Sequence, residues 1–209
     1  MLEEIVPLEP VHFFGFQVDV PYTQAGKLTK KHRLPDLSSL HNMHPFADVS
    51  MGWNELGIYL HFTIEGSFRH PDFPGIRSGD SIELFFDTRD VKTTAYNTRF
   101  CHHFYFLPIS VQPNGEAIQA GEMTRFRTED THELCDPDLL QIEKKKGGKF
   151  EIFLPRETLY GYDPTQFSRI GFTYRINRVG GAVQYFSANE GDFSIEKQPS
   201  LYASMRLVK

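Results

Sequence analysis

The chain has 209 residues, with 27 acidic against 22 basic side chains and a formal net charge of −5. That length suits one large all-β domain better than two small ones, and it is enough to bury a sizeable core. The acidic balance argues against a nucleic-acid or anionic-membrane partner, both of which need a basic patch. No apolar run reaches the roughly 18 residues of a membrane-spanning helix.

Phenylalanine is the unusual count, at 19 against a single Trp, and aromatic residues favour strands. Residues 1–10 hold acids and prolines and read as an arm. Val11–Val20 alternates through Phe14, Phe16, Val18 and Val20, which predicts a first strand ended by Pro21. Residues 21–46 show no period and form a long loop, with a short helical turn expected near Asp36–Leu40. Ala47–Trp53 and Ile58–Glu65 form a hairpin around Asn54-Glu55-Leu56-Gly57. Trp53 alternates with Val49 and Met51 and is expected in the core.

A loop over 66–78 leads to Gly79-Asp80-Ser81-Ile82-Glu83-Leu84-Phe85-Phe86-Asp87. Here Ile82, Leu84 and Phe86 share the core face of a strand, while Ser81, Glu83, Phe85 and Asp87 share the other. Phe100–Ile109 is the next strand, with His102, Phe104 and Phe106 on one face and Cys101, His103 and Tyr105 on the opposite one. Residues 116–137 are polar and read as an irregular excursion, so that 110–137 forms a second long loop. Leu139–Lys145 and Lys149–Leu154 form a hairpin about Gly147-Gly148, and Pro155–Leu159 starts a short helical turn. Ile170–Ile176 alternates cleanly and turns at Gly180-Gly181 into Ala182–Ser187. Tyr202–Val208 closes the chain. Nine or ten short strands with almost no helical period predict an antiparallel β-sandwich, jelly-roll-like, over residues 1–209. Ile82, Leu84, Phe86, Phe104, Phe106, Phe172 and Tyr174 are expected in one core.

Met51-Gly52-Trp53, Ile58-Tyr59-Leu60 and Asp80-Ser81-Ile82-Glu83-Leu84-Phe85-Phe86-Asp87 together resemble the family 9 carbohydrate-binding modules, part of a broader group of DOMON-like β-sandwich domains. Ile170-Gly171-Phe172 and Pro199–Leu207 resemble that family's later strands. The resemblance covers roughly 45–110 and 168–208. It implies a saccharide held between aromatic rings and aided by a Glu, which Glu83 matches. It also implies polar partners near His103, and a structural calcium for which Asp87 and Asp90 are the acidic candidates. The family's two Trp clamps fall where this chain has Arg77-Ser78 and Tyr185-Phe186, so an Arg with a Tyr or Phe could rebuild a different clamp, with Arg77 and Phe186 the candidate ligand residues.

By strand parity alone, Glu83, Phe85, His103, Tyr105 and Arg175, with Asn177 just beyond, share an outward face if their strands are neighbours. Such a face offers donors and acceptors around aromatic surface, as a saccharide or another small polar ligand requires. The same residues could instead form a charge network with no ligand, which gives the alternative of a structural or protein-interaction sandwich. A hydrolase with its site in the long loops is the third reading, but an outward carboxylate pair on one strand, such as Glu83 with Asp87, is commonplace, and no nucleophile motif is present.

Nine His residues raise the question of a transition metal. His41 and His44 are close in sequence, whereas His102 and His103 point to opposite faces of a strand. No Cys or carboxylate completes a shell by spacing, so no metal site is read from the sequence, and His102 is expected in the core beside Phe104, bonded to backbone. Cys101 and Cys135 have neither metal spacing nor a disulfide framework, and free thiols are expected. The acidic N-terminus without an apolar signal region fits a cytoplasmic chain and leaves a secreted setting open. Nothing in the pattern specifies an oligomeric state.

Overall fold

The computed structural model describes residues 15–38, 43–187 and 194–209. Its regular structure is β-strand, with single turns of 3-10 helix between strands. One sheet holds β1 (Gln17–Pro21), β4 (Ser81–Asp87), β5 (Cys101–Val111), β6 (Ile118–Glu122), β9 (Arg169–Asn177), β10 (Val183–Tyr185) and β11 (Ala203–Val208). Its order is β1-β11-β9-β4-β5-β6, with β10 paired to β9. The second sheet runs β2 (Ala47–Asn54), β3 (Gly57–Ile64), β8 (Lys149–Pro155), β7 (Gln141–Lys145). All pairings are antiparallel except β1 with β11.

Strand alternation decides the packing. Ile82, Leu84 and Phe86 of β4, Phe104 and Phe106 of β5, and Phe172 and Tyr174 of β9 lie on the inner face of the seven-stranded sheet. They join Met51, Leu60, Phe62, Phe150 and Ile152 of the other sheet in one apolar cluster. Burying a large apolar side chain contributes about 1.5–3 kcal/mol, so these residues dominate the cohesion of the two layers. Trp53 is buried there too, and its indole N–H donates to the Val20 carbonyl (2.9 Å), tying β1 to β2.

Two local expectations change, and a third falls partly outside the described residues. The first strand begins at Gln17 rather than Val11, with residues 11–14 outside the described ones. The helical turn expected at Asp36–Leu40 runs into residues 39–40, also outside them, whereas a 3-10 turn lies at Lys30–His32. The region 116–137 is not wholly irregular, because residues 118–122 form β6 at the sheet edge. The turn after β8 forms at Arg156–Thr158 as expected.

The outer face of the seven-stranded sheet is not open. Two 3-10 turns, Ile195–Lys197 and Pro199–Leu201, lead into β11. Ile195 and Tyr202 cover Phe85 in a second, smaller apolar cluster, with Tyr185 packed beside it. This cover determines what the polar residues of that face can do.

Candidate functional site

The pairing of β4 with its neighbours assembles the polar face. Glu83 stands opposite Arg175 on β9 and Tyr105 on β5; Ser81 stands opposite Asn177, and Phe85 opposite His103. Glu83 is fully buried. Its Oε1 accepts from Arg175 Nε (2.7 Å) and Asn177 Nδ2 (2.7 Å), and its Oε2 accepts from Arg175 Nη2 (2.6 Å). His103 Nε2 lies 2.8 Å from Oε2. Asn177 Nδ2 also reaches the Ser81 hydroxyl at 2.9 Å. A carboxylate offers about four lone-pair directions, and here protein groups take all of them. Glu83 therefore has no acceptor left for a ligand hydroxyl, and its role is to fix the groups around it.

The electrostatics agree with the geometry. Burial alone would raise the Glu83 carboxyl. Hydrogen bonds from His103 and Arg175, with the Arg175 charge, outweigh it and hold the group well below the usual carboxylate range. Burial pushes His103 below the ordinary imidazole range, against the opposing pull of Glu83. The imidazole stacks on Phe85, with ring centroids 4.2 Å apart.

One loop brings a further cation to this network. Asp80, fully buried, accepts from the backbone N–H groups of Arg69 (2.7 Å), His70 (2.8 Å) and Val179 (2.9 Å). The Ser81 hydroxyl donates to the Ile76 carbonyl at 2.6 Å. These bonds fold the loop before β4 back over the strand. Gly79 is required at the crossing, because a Cβ there would lie 2.3 Å from the Asp72 backbone nitrogen. The loop delivers Arg77, 45% exposed, with its Nε 3.9 Å from Glu83 Oε2 and its Nη2 3.2 Å from Glu196 Oε2. Glu196 belongs to the covering segment, so Arg77 bridges the buried network and the cover. Above His103 the structure leaves a cavity of about 230 Å³, walled by Gly75–Ser78, Met123, Arg125 and Glu196.

Glu83, His103, Arg175, Asn177 and Arg77 are thus brought together as expected, and Arg77 and His103 reach the cavity. Two expected residues stand elsewhere. Phe186 is in the core, stacked on Tyr174 at 5.5 Å, since Tyr185 pairs with Arg175 and the next side chain turns inward. Tyr185 is the ring on the Glu83 face. Tyr105 shares that face but does not line the cavity; its ring lies 6.0 Å from that of Phe73, beyond the Gly121 backbone. Met123, Arg125 and Glu196 are cavity residues that the sequence did not reveal, because none belongs to an alternating strand pattern.

Asp87 and Asp90 do not fit a calcium site. Asp87 accepts from the backbone N–H groups of Arg89 (2.9 Å) and Val91 (2.6 Å). Asp90 pairs with Lys92 (2.6 Å) and Arg169 (2.7 Å) and accepts from Ser204 (2.7 Å). Two cations at one carboxylate oppose a third. Of the other histidines, His44 is exposed and His41 lies outside the described residues. His102 is buried, stacks on Phe104 and bonds to backbone at the Tyr160 carbonyl (3.4 Å) as expected, and its other ring nitrogen lies 2.9 Å from the Glu122 carboxylate. Cys101 and Cys135 are free thiols. A larger groove, about 610 Å³, lies across the outer face of the four-stranded sheet over Tyr59, His61, Phe153 and Glu151. No helix among the described residues is long and apolar enough to cross a membrane.

The fold is similar to that of family 9 carbohydrate-binding modules. The chain is similar in structure to a family 9 module from Caldicellulosiruptor kristjanssonii solved with cellotriose, at 12% sequence identity and a TM-score of 0.57 over 92% of this chain and 93% of that one. Against the module from the same organism with glucose, identity is 12% and the TM-score 0.59, covering 91% and 95%. No family model and no curated protein matches the sequence.

Proposed function

We propose that the chain is a non-catalytic binding domain for a saccharide or another small polar ligand, received in the cavity above His103. The observation that carries this reading is the fixed network beneath that cavity. Glu83 is saturated by Arg175, Asn177 and His103, so the groups it positions are held in place before any ligand arrives. Preorganisation of this kind lowers the ordering cost of binding. The likeness to modules solved with cellotriose and glucose supports a sugar as the ligand. The cavity is smaller than the roughly 300–1,000 Å³ of drug-sized sites, which suits a single sugar ring or a chain end. Two guanidinium groups, Arg77 and Arg125, face one carboxylate, Glu196, so a sugar acid fits the wall at least as well as a neutral hexose.

Calorimetric titration with glucose, cellotriose and glucuronate tests the reading on wild type, Arg77→Ala and His61→Ala. Arg77→Ala should weaken binding about tenfold or more, the effect of losing one charge-assisted hydrogen bond, while His61→Ala should bind as wild type. Absence of binding across a broad glycan panel would favour the structural or interaction alternative. Weakening by His61→Ala alone would move the site to the groove of the other sheet.

A further inference from the structure

On the face of β5 opposite the one that carries His103, three side chains from different segments converge. His102 of β5 and Glu122 of β6 are diagonal neighbours, because Phe104 pairs with Glu122. His132 comes from the segment after β6. His102 Nδ1 and His132 Nε2 each lie 2.9 Å from the same oxygen, Glu122 Oε1. All three ligand-type atoms lie within 4.8 Å of one another. The side chains are 0%, 2% and 0% exposed for His102, His132 and Glu122.

The outer bonds of this cluster fix its orientation. His132 Nδ1 lies 2.6 Å from the Arg99 carbonyl, and His102 Nε2 lies 3.4 Å from that of Tyr160. A carbonyl only accepts, so the ring nitrogen facing it carries the proton, and a neutral ring then turns its lone pair to the centre. The Thr124 hydroxyl donates to Oε1 at 2.7 Å, and the Cys135 backbone N–H donates to Oε2 at 2.9 Å. Oε1 therefore meets three polar atoms with about two lone pairs. Two imidazole lone pairs and an anionic oxygen directed at one another, each imidazole anchored on a carbonyl behind, is the arrangement that surrounds bound transition metals.

We propose that His102, Glu122 and His132 bind a divalent transition-metal ion, and that Zn²⁺ is the ion best matched to the set. Imidazole nitrogen with one carboxylate suits Zn²⁺, whereas Ca²⁺ and Mg²⁺ take oxygen ligands. Zinc bonds of 2.0–2.1 Å in a tetrahedron separate ligand atoms by about 3.3 Å, so the observed 2.9 Å spacings need to open by only a few tenths of an ångström. The Cys135 thiol, which lies beside the same carboxylate, or a water completes the shell. Near-complete burial makes the site structural rather than catalytic. The ion would join β5 and β6 to the segment bearing His132, which stacks over Tyr160 from the far side (5.8 Å between centroids). Sequence spacing hides the set, since its members lie 20 and 10 residues apart on two strands and a loop.

The test uses the full chain after dialysis against chelator, with ZnCl₂ as the probe. Calorimetric titration should give one zinc per chain, and the melting temperature should rise by about 5–10 °C at free zinc 100-fold above Kd. His132→Ala, a loop substitution, should weaken zinc binding at least tenfold and lose the thermal shift. Glu122→Gln, which keeps the shape, should weaken it likewise; each variant is first shown by its metal-free melt to be folded. His44→Ala, outside the cluster, should titrate as wild type. No zinc bound by wild type, or equal affinity in wild type and His132→Ala, would overturn the proposal and leave a hydrogen-bonded His–Glu–His network.

Discussion

The two sheets each turn a polar, alternating face away from the shared core, and the two faces have different fates. On the seven-stranded sheet, Glu83 and Arg175 are 0% and 1% exposed. On the four-stranded sheet, Lys145, Glu143 and Glu151 are 40%, 67% and 41% exposed. Both faces follow from the same period of two. What separates them is the cover: the loop carrying Arg77 and the segment carrying Glu196 and Tyr202 close over the Glu83 face of one sheet, whereas on the other the segment 23–33 packs over Gly52 and Tyr59 of β2 and β3 and leaves Glu143, Lys145 and Glu151 of β7 and β8 in contact with water. A face that is merely solvated in one place becomes a fixed constellation in the other because a second layer excludes water from it.

The largest test of that difference is Arg175→Leu. Removing Arg175 takes away the bidentate cation and leaves the buried Glu83 carboxylate with only Asn177, His103 and the more distant Arg77; breaking a buried ion pair costs about 3–5 kcal/mol. For a chain of this length the melting temperature should fall by roughly 6–20 °C. Glu83→Leu combined with Arg175→Leu should recover much of that loss, since an apolar pair of similar volume avoids the stranded charge. Urea melts of the two single variants and the double variant check it. A loss below about 1 kcal/mol for Arg175→Leu would mean that water reaches Glu83 and that the two faces are alike.

A smaller effect should appear with acid. The Glu83 carboxyl is held below its usual range in the folded chain. Its contribution to stability is therefore fully present above the unfolded value, about 4.5, and is lost as pH falls below that value toward the folded one. Thermal melts of wild type should drop more steeply between pH 5 and 3 than those of Glu83→Gln, which has no proton to take up there. Parallel curves for the two proteins would show that this carboxylate is not linked to folding.

The fold was legible because alternation is a local property. Ile82, Leu84 and Phe86 point inward wherever their strand lies, and the seven expected core residues meet in one cluster. Parity also placed Glu83, His103 and Arg175 on one face. It could not show what covers them, since Glu196 and Tyr202 lie more than 100 residues after Glu83, on the segment that precedes β11. β6 was hidden for another reason. Ile118-Gln119-Ala120-Gly121-Glu122 has little strand propensity, yet the edge of β5 supplies a partner, and Gly121 leaves room for the Tyr105 ring, whose hydroxyl would lie 2.7 Å from a Cβ there. Missing β6 also hid Glu122 and with it the histidine cluster. Phe186 was misplaced by one step of parity, because the register of the short strand β10 depends on its pairing with β9 rather than on its own pattern.

The smallest effect belongs to the open face. Lys145 pairs with Glu143 on its own strand and lies 3.8 Å from Glu151 on β8. Both carboxylates and the ammonium keep substantial contact with water, so their attraction is screened, and ordering the side chains costs entropy. Lys145→Ala should lower stability by no more than about 1 kcal/mol, and most of that difference should vanish in high salt. The Arg175→Leu loss should persist in the same salt, because a buried pair is screened far less. Urea melts of the two variants at low and high salt therefore compare the faces directly. If both losses shrank together, Glu83 and Arg175 would be reached by counterions, and the cover over the seven-stranded sheet would not exclude solvent. If Lys145→Ala cost as much as Arg175→Leu, the strands of the open face would be held by ion pairs that their exposure does not account for.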